Sequence, residues 1–224
     1  MIEGAFTYPT DSDSWLTTII IGGVLTFLGF LIVPLFVVYG YVVHAIRDTV
    51  EGGDEPPAFG DWGDLIVDGL QAWIVGIVYL LVPTIVAIVT VGGSIAAILT
   101  GNSAGEAAGV AGLFGGFALT AVLSLVFGYF AAAAIVNFAC EGSLGAAFDF
   151  GTVRQIAFDG DYAVAWLVSV VVFIVAGIVT GIPLIGWVIA PFLTFYASVV
   201  AARLWGGGYL DAVGGGTAAP ADAG

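Results

Sequence analysis

The side chains of this chain that could carry acid–base or ion-pair chemistry lie mainly in two polar segments, residues 47–68 and 141–161. General acids and bases are often carboxylates, and they must converge on one substrate to act together. The carboxylates available for such a centre are Asp61, Asp64, Glu141 and Asp149. This set is too sparse to favour an enzyme.

The same segments contain the charges for an ion-pair lock between loops. Asp61, Trp62 and Asp64 could pair there with Arg47 and Arg154. Exposed ion pairs contribute only about 0–1 kcal/mol each, and salt screens them further. We therefore expect an interaction site here rather than a catalytic one. Its candidate residues, with the polar Asn137 of a later apolar stretch, are Arg47, Asp61, Trp62, Asp64, Asn137, Glu141, Asp149 and Arg154.

Sequence motifs of catalysis and cofactor binding are absent. The chain contains no Walker A loop, dinucleotide-binding glycine fingerprint, HExxH motif or GxSxG elbow. It has no lysine for Schiff-base chemistry, and its one histidine, His44, cannot form a multi-histidine metal site. We expect no enzyme activity, no cofactor and no metal. His44 is expected to cap the polar end of a helix or to accept a proton at the membrane interface.

Four stretches without any charged side chain separate these polar segments: residues 14–46, 69–105, 107–140 and 162–202. A helix needs roughly 20 mainly apolar residues to cross the hydrocarbon core of a bilayer, and each stretch is longer than that. The chain is also 60% hydrophobic. The sequence therefore predicts an all-α, polytopic transmembrane helix bundle with five to six membrane segments.

Glycine and proline positions divide the stretches into segments. We predict a polar segment at 1–14, one transmembrane domain at 15–205, and a disordered Gly/Ala-rich tail at 206–224. In the first stretch a hairpin turning near Gly29 would leave a first arm short enough to be re-entrant, and the alternative is one long tilted helix. The membrane segments predicted are 15–28, 30–46, 70–99, 107–139, 162–181 and 187–204.

The first and last stretches resemble each other in a way that an internal repeat would explain. Residues 186–202 align with residues 29–45 without a gap, and Gly29 and Pro34 match Gly186 and Pro191. A two-hairpin pseudo-symmetry of this kind is common in transporters, although simple bundles share it and apolar helices also resemble one another by chance.

The two long polar segments contain apolar residues at helical spacing. Residues 62–73 predict a short amphipathic helix that lies in the membrane interface and leads into the next span. Residues 146–166 mix Phe148, Phe150 and Phe158 with charged residues, which is typical of aromatic anchors at headgroup depth.

Small residues in the third stretch permit close helix contacts. Gly105 and Gly109, and then Gly112 and Gly116, have the spacing that lets helix backbones approach. They predict intramolecular packing or, alternatively, a homo-oligomer face. Asn137 lies near a helix end, where packing is the simpler explanation.

Charge distribution predicts the orientation and excludes one class of partner. The formal net charge is −14, so binding of nucleic acid through surface charge is excluded. The three arginines, Arg47, Arg154 and Arg203, fall on one face when the predicted helices cross, and that face is expected to be cytoplasmic at the cell membrane. The acidic, lysine-free composition is similar to that of salt-loving archaea.

The segment E-x-P-x-F-x-D-W-G most specifically resembles domain-of-unknown-function family 4013, multi-pass membrane proteins frequent in haloarchaea. Its residues here are Glu55, Pro57, Phe59, Asp61, Trp62 and Gly63. The resemblance extends from about Ala5 to Tyr209, although the family is usually richer in basic residues near the N-terminus and after the first hairpin. It implies no activity and no site residues.

Three functions remain open at this point. We expect a non-enzymatic structural or interaction subunit that contacts membrane lipids and a membrane protein partner. The alternative is a transporter or channel for an uncharged small solute or lipid, and a membrane enzyme comes third. A transporter requires a polar-lined cavity between the repeats, whereas a scaffold requires a filled core.

Overall fold

A computed structural model of the protein describes residues 2–182 and 185–214, which are helical with short connections and contain no strand. Among the described residues, five helices are long and apolar enough to cross a membrane, and a bent pair, Gly4–Thr10 with Trp15–Leu31, would add a sixth span. The chain is therefore a polytopic α-helical membrane protein, as predicted. The helices are α1 (Ile2–Thr7), α2 (Trp15–Phe27), α3 (Val33–Glu51), α4 (Trp62–Ile98), α5 (Ser103–Glu141), α6 (Phe150–Ala157), α7 (Gly160–Thr180) and α8 (Ile185–Gly214).

The chain divides into two compact units. Unit 1 comprises the described residues of 2–74 and 132–214, and unit 2 comprises residues 75–131. In unit 2, the later part of α4 and the earlier part of α5 form a hairpin. Methyl groups added at Gly109 or Gly112 would overlap or crowd Ser94 of α4, so small residues set how closely these helices pack.

The first apolar stretch is a hairpin, and the single long helix considered above is wrong. A 3₁₀ turn, Leu28–Leu31, follows α2, and Ile32 has a φ of 68°. This value lies in the left-handed region, which a β-branched residue enters only when the surrounding chain enforces it. Pro34 then occupies the first turn of α3, where a missing N–H leaves no helix hydrogen bond unmade.

Glycines of α2 fix this hairpin against α8. A methyl group at Gly22 would overlap the ring of Phe195, and one at Gly23 would overlap the ring of Phe192. The two rings therefore lie directly on the backbone of α2.

The two aligned copies form hairpins, α2–α3 and α7–α8, but their matched residues have different local roles. Gly29 lies in the 3₁₀ turn and Pro34 in the first turn of α3, whereas Gly186 and Pro191 are both within α8. Residues 183 and 184 of the second turn lie outside the described residues. The sequence likeness is not repeated in the local structure at these positions.

The predicted tail is partly wrong, because α8 continues to Gly214. Glycines that suggested disorder instead permit close packing. A methyl group at Gly206 would lie 2.8 Å from Thr49 Cγ2, and one at Gly208 would lie 2.9 Å from Tyr162 Cα. Residues 215–224 lie outside the described part of the chain.

The separate interfacial helix predicted at 62–73 is also wrong, because these residues are the start of the continuous helix α4. The reason is its contact with α3. A methyl group at Gly69 would overlap the carbonyl oxygen of Phe36, and one at Gly40 would overlap that of Leu65. The backbones of α3 and α4 touch at these two glycines, and this contact holds the first turns of α4 within the bundle.

Replacing Gly40 with alanine should therefore destabilise unit 1. Overpacking of a close contact costs about 1–3 kcal/mol, because one helix must move away from the other. Gly177→Ala is the matched control, since Gly177 lies within α7 with open space around its Cα, and alanine is favoured over glycine there by about 0.5–1 kcal/mol. Denaturant unfolding in detergent measures both changes. Equal stability of the two variants would contradict a backbone contact at Gly40.

Candidate functional site

The contact between α3 and α4 assembles a charged cluster from His44, Arg47 and Asp68, called here the His44–Asp68 cluster. His44 Nε2 lies 3.0 Å from Asp68 Oδ2, and Arg47 Nη1 lies 3.3 Å from the same oxygen. His44 and Arg47 are three residues apart, so both side chains project from one face of α3. Asp68 directly precedes Gly69, so the close helix contact also sets the position of its carboxylate.

Arg47 extends this cluster to α5. Its Nε donates a hydrogen bond to the carbonyl oxygen of Ala139, at 3.1 Å. The last four carbonyls of a helix have no intrahelical partner, and Ala139 is within the last turn of α5. Arg47 therefore satisfies this carbonyl while it pairs with Asp68. The arrangement is a tie between three helices, formed by half-buried side chains.

A second set of contacts braces the connection between α3 and α4, residues 52–61, called here the acidic loop. Arg203 Nη1 donates to the Gly53 carbonyl at 2.6 Å, and its Nη2 lies 3.8 Å from Asp54 Oδ1. Tyr41 donates its hydroxyl to the Pro57 carbonyl at 2.8 Å. Two side chains from α3 and α8 thus hold the loop backbone at two points.

Aromatic rings of α3, α4 and α8 pack around Phe59 of the same loop. The ring centroids of Tyr41 and Phe59 are 4.5 Å apart, and Phe59 also stacks on Trp62 at 5.8 Å. Phe195 of α8 completes the group, 5.2 Å from Tyr41 and 5.9 Å from Phe59. Aromatic pairs at these distances contribute about 0.5–1.5 kcal/mol each beyond their burial.

The N-terminal segment joins this assembly through Tyr8. The guanidinium carbon of Arg203 lies 4.8 Å from the centroid of the Tyr8 ring, and the Tyr8 hydroxyl lies 3.1 Å from Asp48 Oδ2. Arg203 therefore contacts the N-terminal segment and the acidic loop at once.

The outward side of the acidic loop carries exposed acids. The side chain of Asp54 is 96% exposed, and Glu55, Asp61 and Asp64 are exposed as well. Asp61 has a φ of 40°, and its carbonyl accepts the Asp64 amide at 2.8 Å as α4 begins. Trp62 is 47% exposed beside them.

The predicted lock of Asp61, Trp62 and Asp64 with Arg47 and Arg154 is not formed. Arg47 pairs with Asp68, because the glycine contact brings the seventh residue of α4, rather than its first turn, beside the end of α3. Arg154 lies exposed on α6, with its guanidinium 5.8 Å from the Phe158 ring.

The other predicted site residues have local structural contacts. Asn137 is buried, and its amide nitrogen donates to the Ala146 carbonyl at 2.8 Å, which fixes the chain after α5. Glu141 is exposed at the end of α5. Asp149 caps α6, and the hydrogen bond from the Thr152 hydroxyl, at 2.8 Å, holds the pKa of Asp149 below its usual value.

The sequence predicts that four glycines of α5 form either an intramolecular or an oligomer contact. In the structure they lie against α4 of the same chain. Methyl groups added to them would meet residues of the α4 end or the turn that follows it. The glycines are Gly105, Gly109, Gly112 and Gly116, and the facing residues are Ala97, Ile98, Ser94, Thr90 and Thr100. These four glycines therefore form intramolecular contacts.

The sequence did not predict that Tyr41, Asp68 and Arg203 belong to these clusters. Asp68 stands beside a glycine within a helical pattern, Asp68-Gly69, and that pairing is the one signal that could have identified it. The aromatic contact of Tyr41 depends on tertiary structure alone.

A family model described as a protein of unknown function, DUF4013, matches residues 24–185. The chain belongs to this family. The matched range contains the His44–Asp68 cluster and the acidic loop, whereas Arg203, which braces that loop, and Tyr8, which contacts Arg203, lie outside it. No curated protein and no solved structure gives a significant match to the chain.

Replacing Asp68 with asparagine should weaken the tie between α3, α4 and α5. The variant removes the shared negative charge from His44 and Arg47, and hydrogen bonds to charged groups contribute about 1.5–3 kcal/mol, which partial exposure lowers to about 1–2 kcal/mol. Asp64→Asn, one turn earlier and exposed, should change the free energy of unfolding by less than about 0.5 kcal/mol. Denaturant unfolding of both variants tests this, and a loss no larger for Asp68→Asn than for Asp64→Asn would contradict it.

Proposed function

We propose that this membrane protein is a non-enzymatic interaction subunit of the cell membrane, and that the acidic loop is its docking surface. One observation carries the proposal. The loop exposes Asp54, Glu55 and Asp61, while its backbone is held by hydrogen bonds from Tyr41 and Arg203.

Pre-organisation is the physical reason to associate this loop with binding. A surface segment already held in one conformation loses little entropy when a partner binds, so more of the contact energy becomes affinity. The exposed acids give the surface a negative charge, which fits a partner with exposed lysine or arginine and speeds its approach. Trp62 adds an aromatic ring of the kind that dominates interface energies.

The position of the arginines supports the orientation. Arg47 contacts the end of α5, Arg203 contacts the loop after α3, and Arg154 lies between α5 and α7, so all three lie toward one end of unit 1. Basic residues are enriched on the cytoplasmic side of membrane proteins. We infer that the acidic loop faces the cytoplasm.

The alternative function, transport of an uncharged small solute or lipid, has one observation in its favour. The side-chain oxygen of Asn137 is buried and has no hydrogen-bond partner among the described residues. A solute that donates a hydrogen bond would satisfy it. The amide nitrogen of the same side chain already donates to the Ala146 carbonyl, and this structural role favours the interaction-subunit function over transport.

Carbodiimide coupling tests the docking surface directly, because it joins a carboxylate to an amine with loss of water and this chain has no lysine. Native membrane vesicles of both orientations would be treated with a membrane-impermeant carbodiimide and N-hydroxysulfosuccinimide, and the tagged full chain purified. We expect a stoichiometric partner joined through residues 54–64, in inverted vesicles only.

Matched charge variants provide the control. Glu55→Gln with Asp61→Asn should lower the yield of the coupled product, because it removes two of the exposed carboxylates, and Asp61→Asn keeps a residue type that tolerates positive φ. Glu106→Gln with Asp211→Asn removes the same charge from exposed positions elsewhere and should leave the product intact. A lone protein that carries a specific small molecule would overturn the subunit function. Coupling only in right-side-out vesicles would overturn the orientation.

A further inference from the structure

Helix α6 is a short amphipathic helix between α5 and α7. Asp149 caps it by accepting the backbone amides of Gly151 and Thr152. One face, formed by Val153, Ile156 and Ala157, is buried in unit 1. The cap and the buried face fix which side of α6 is turned outward.

The outward side carries Phe150, Arg154 and Phe158, called here the α6 stripe. These residues are four apart, so successive members lie one helical turn above each other. Phe150 is 69% exposed and Phe158 is 76% exposed, and the Arg154 guanidinium lies 5.8 Å from the Phe158 ring. Two large apolar rings flanking a cation are unfavourable in water but suit the boundary between lipid headgroups and acyl chains.

Arg154 differs from the other two arginines in its pairing. Arg47 pairs with Asp68 and Arg203 with Asp54, whereas no carboxylate among the described side chains, those of residues 2–182 and 185–214 other than Glu3, lies within ion-pair distance of Arg154. The adjacent carboxylates are used as helix caps, because Asp149 accepts from the start of α6 and Asp159 from the start of α7. Arg154 is thus the basic side chain left for an external anion.

We propose that the α6 stripe is a binding surface for an anionic phospholipid. Phe150 and Phe158 insert at the level of the upper acyl chains, and Arg154 binds the phosphate. The membrane is the favoured partner because α7, a membrane-crossing helix, begins at Gly160, two residues after Phe158. This binding is independent of the docking function of the acidic loop.

A fluorophore beside the stripe tests the proposal in the full chain. Gln155 is exposed on α6, so Gln155→Cys in a Cys140→Ala background gives a single labelling position. The protein would be reconstituted in phosphatidylcholine vesicles at low salt. A trace of nitroxide-labelled phosphatidylglycerol or phosphatidylcholine, labelled near the headgroup, would then be added. Quenching of the fluorophore reports which of the two lipids contacts α6. We expect stronger quenching by phosphatidylglycerol.

Arg154→Gln should lower this preference about fivefold, because one basic residue near an anionic headgroup contributes that factor. Arg154→Lys should retain it. Phe150→Ser with Phe158→Ser should reduce quenching by both lipids and increase quenching by aqueous iodide. Phe114→Ser, which removes an exposed ring from α5, should leave all of these values unchanged.

Three results would overturn the proposal. Equal quenching by the two lipids would exclude selectivity for the anion. Strong iodide quenching without lipid quenching would place α6 in water. Protection from both quenchers would mean that a protein, either a second copy or a partner, covers the stripe. If the double serine variant fails to fold, Arg154→Gln still tests the selectivity for the anionic lipid, since this variant keeps both aromatic rings.

Discussion

Within a bilayer, helices gain no hydrophobic free energy by leaving lipid for one another, so their association depends on close packing and on polar contacts. The contact of α3 with α4 at Gly40 and Gly69 provides close packing and makes a polar contact between the same helices possible. Backbone touches backbone there, and Asp68 is carried to His44 and Arg47. The acidic loop connects the same two helices, so their separation also decides whether Tyr41 of α3 can stack on Phe59 of the loop.

Two of the few basic side chains each make two kinds of contact. A chain with 17 acidic and three basic side chains cannot neutralise its acids pairwise. Arg47 and Arg203 instead each contact a backbone carbonyl as well as a carboxylate, so one side chain fixes both a charge and a chain segment. Arg154 has no such pair within the described part of the chain and is left for contacts outside it.

The membrane segments could be predicted from sequence because a helix that crosses the hydrocarbon core needs a continuous run of apolar residues. Such a run is visible in the sequence as a stretch without charged residues. The turn near Gly29 was predictable for a similar local reason. The partner of Arg47 was not, since it depends on the register of α4 against α3, which Gly69 sets through a contact distant in sequence. The helical end of α8 was missed because Gly206 and Gly208 pack against Thr49 and Tyr162, whereas glycine-rich sequence otherwise indicates disorder.

Hydrogen exchange of the acidic loop tests most directly whether the α3–α4 contact supports the rest of unit 1. The amide of Gly53 donates to the Asp48 carbonyl at 2.8 Å, and its exchange reports the bracing of the loop. In a Gly69→Ala variant in lipid nanodiscs, the amides of residues 53–55, 58 and 59 should exchange faster than in both the original chain and Gly177→Ala. Unchanged exchange in Gly69→Ala, in a protein that still folds, would contradict the account, because the loop would then be held independently of the glycine contact.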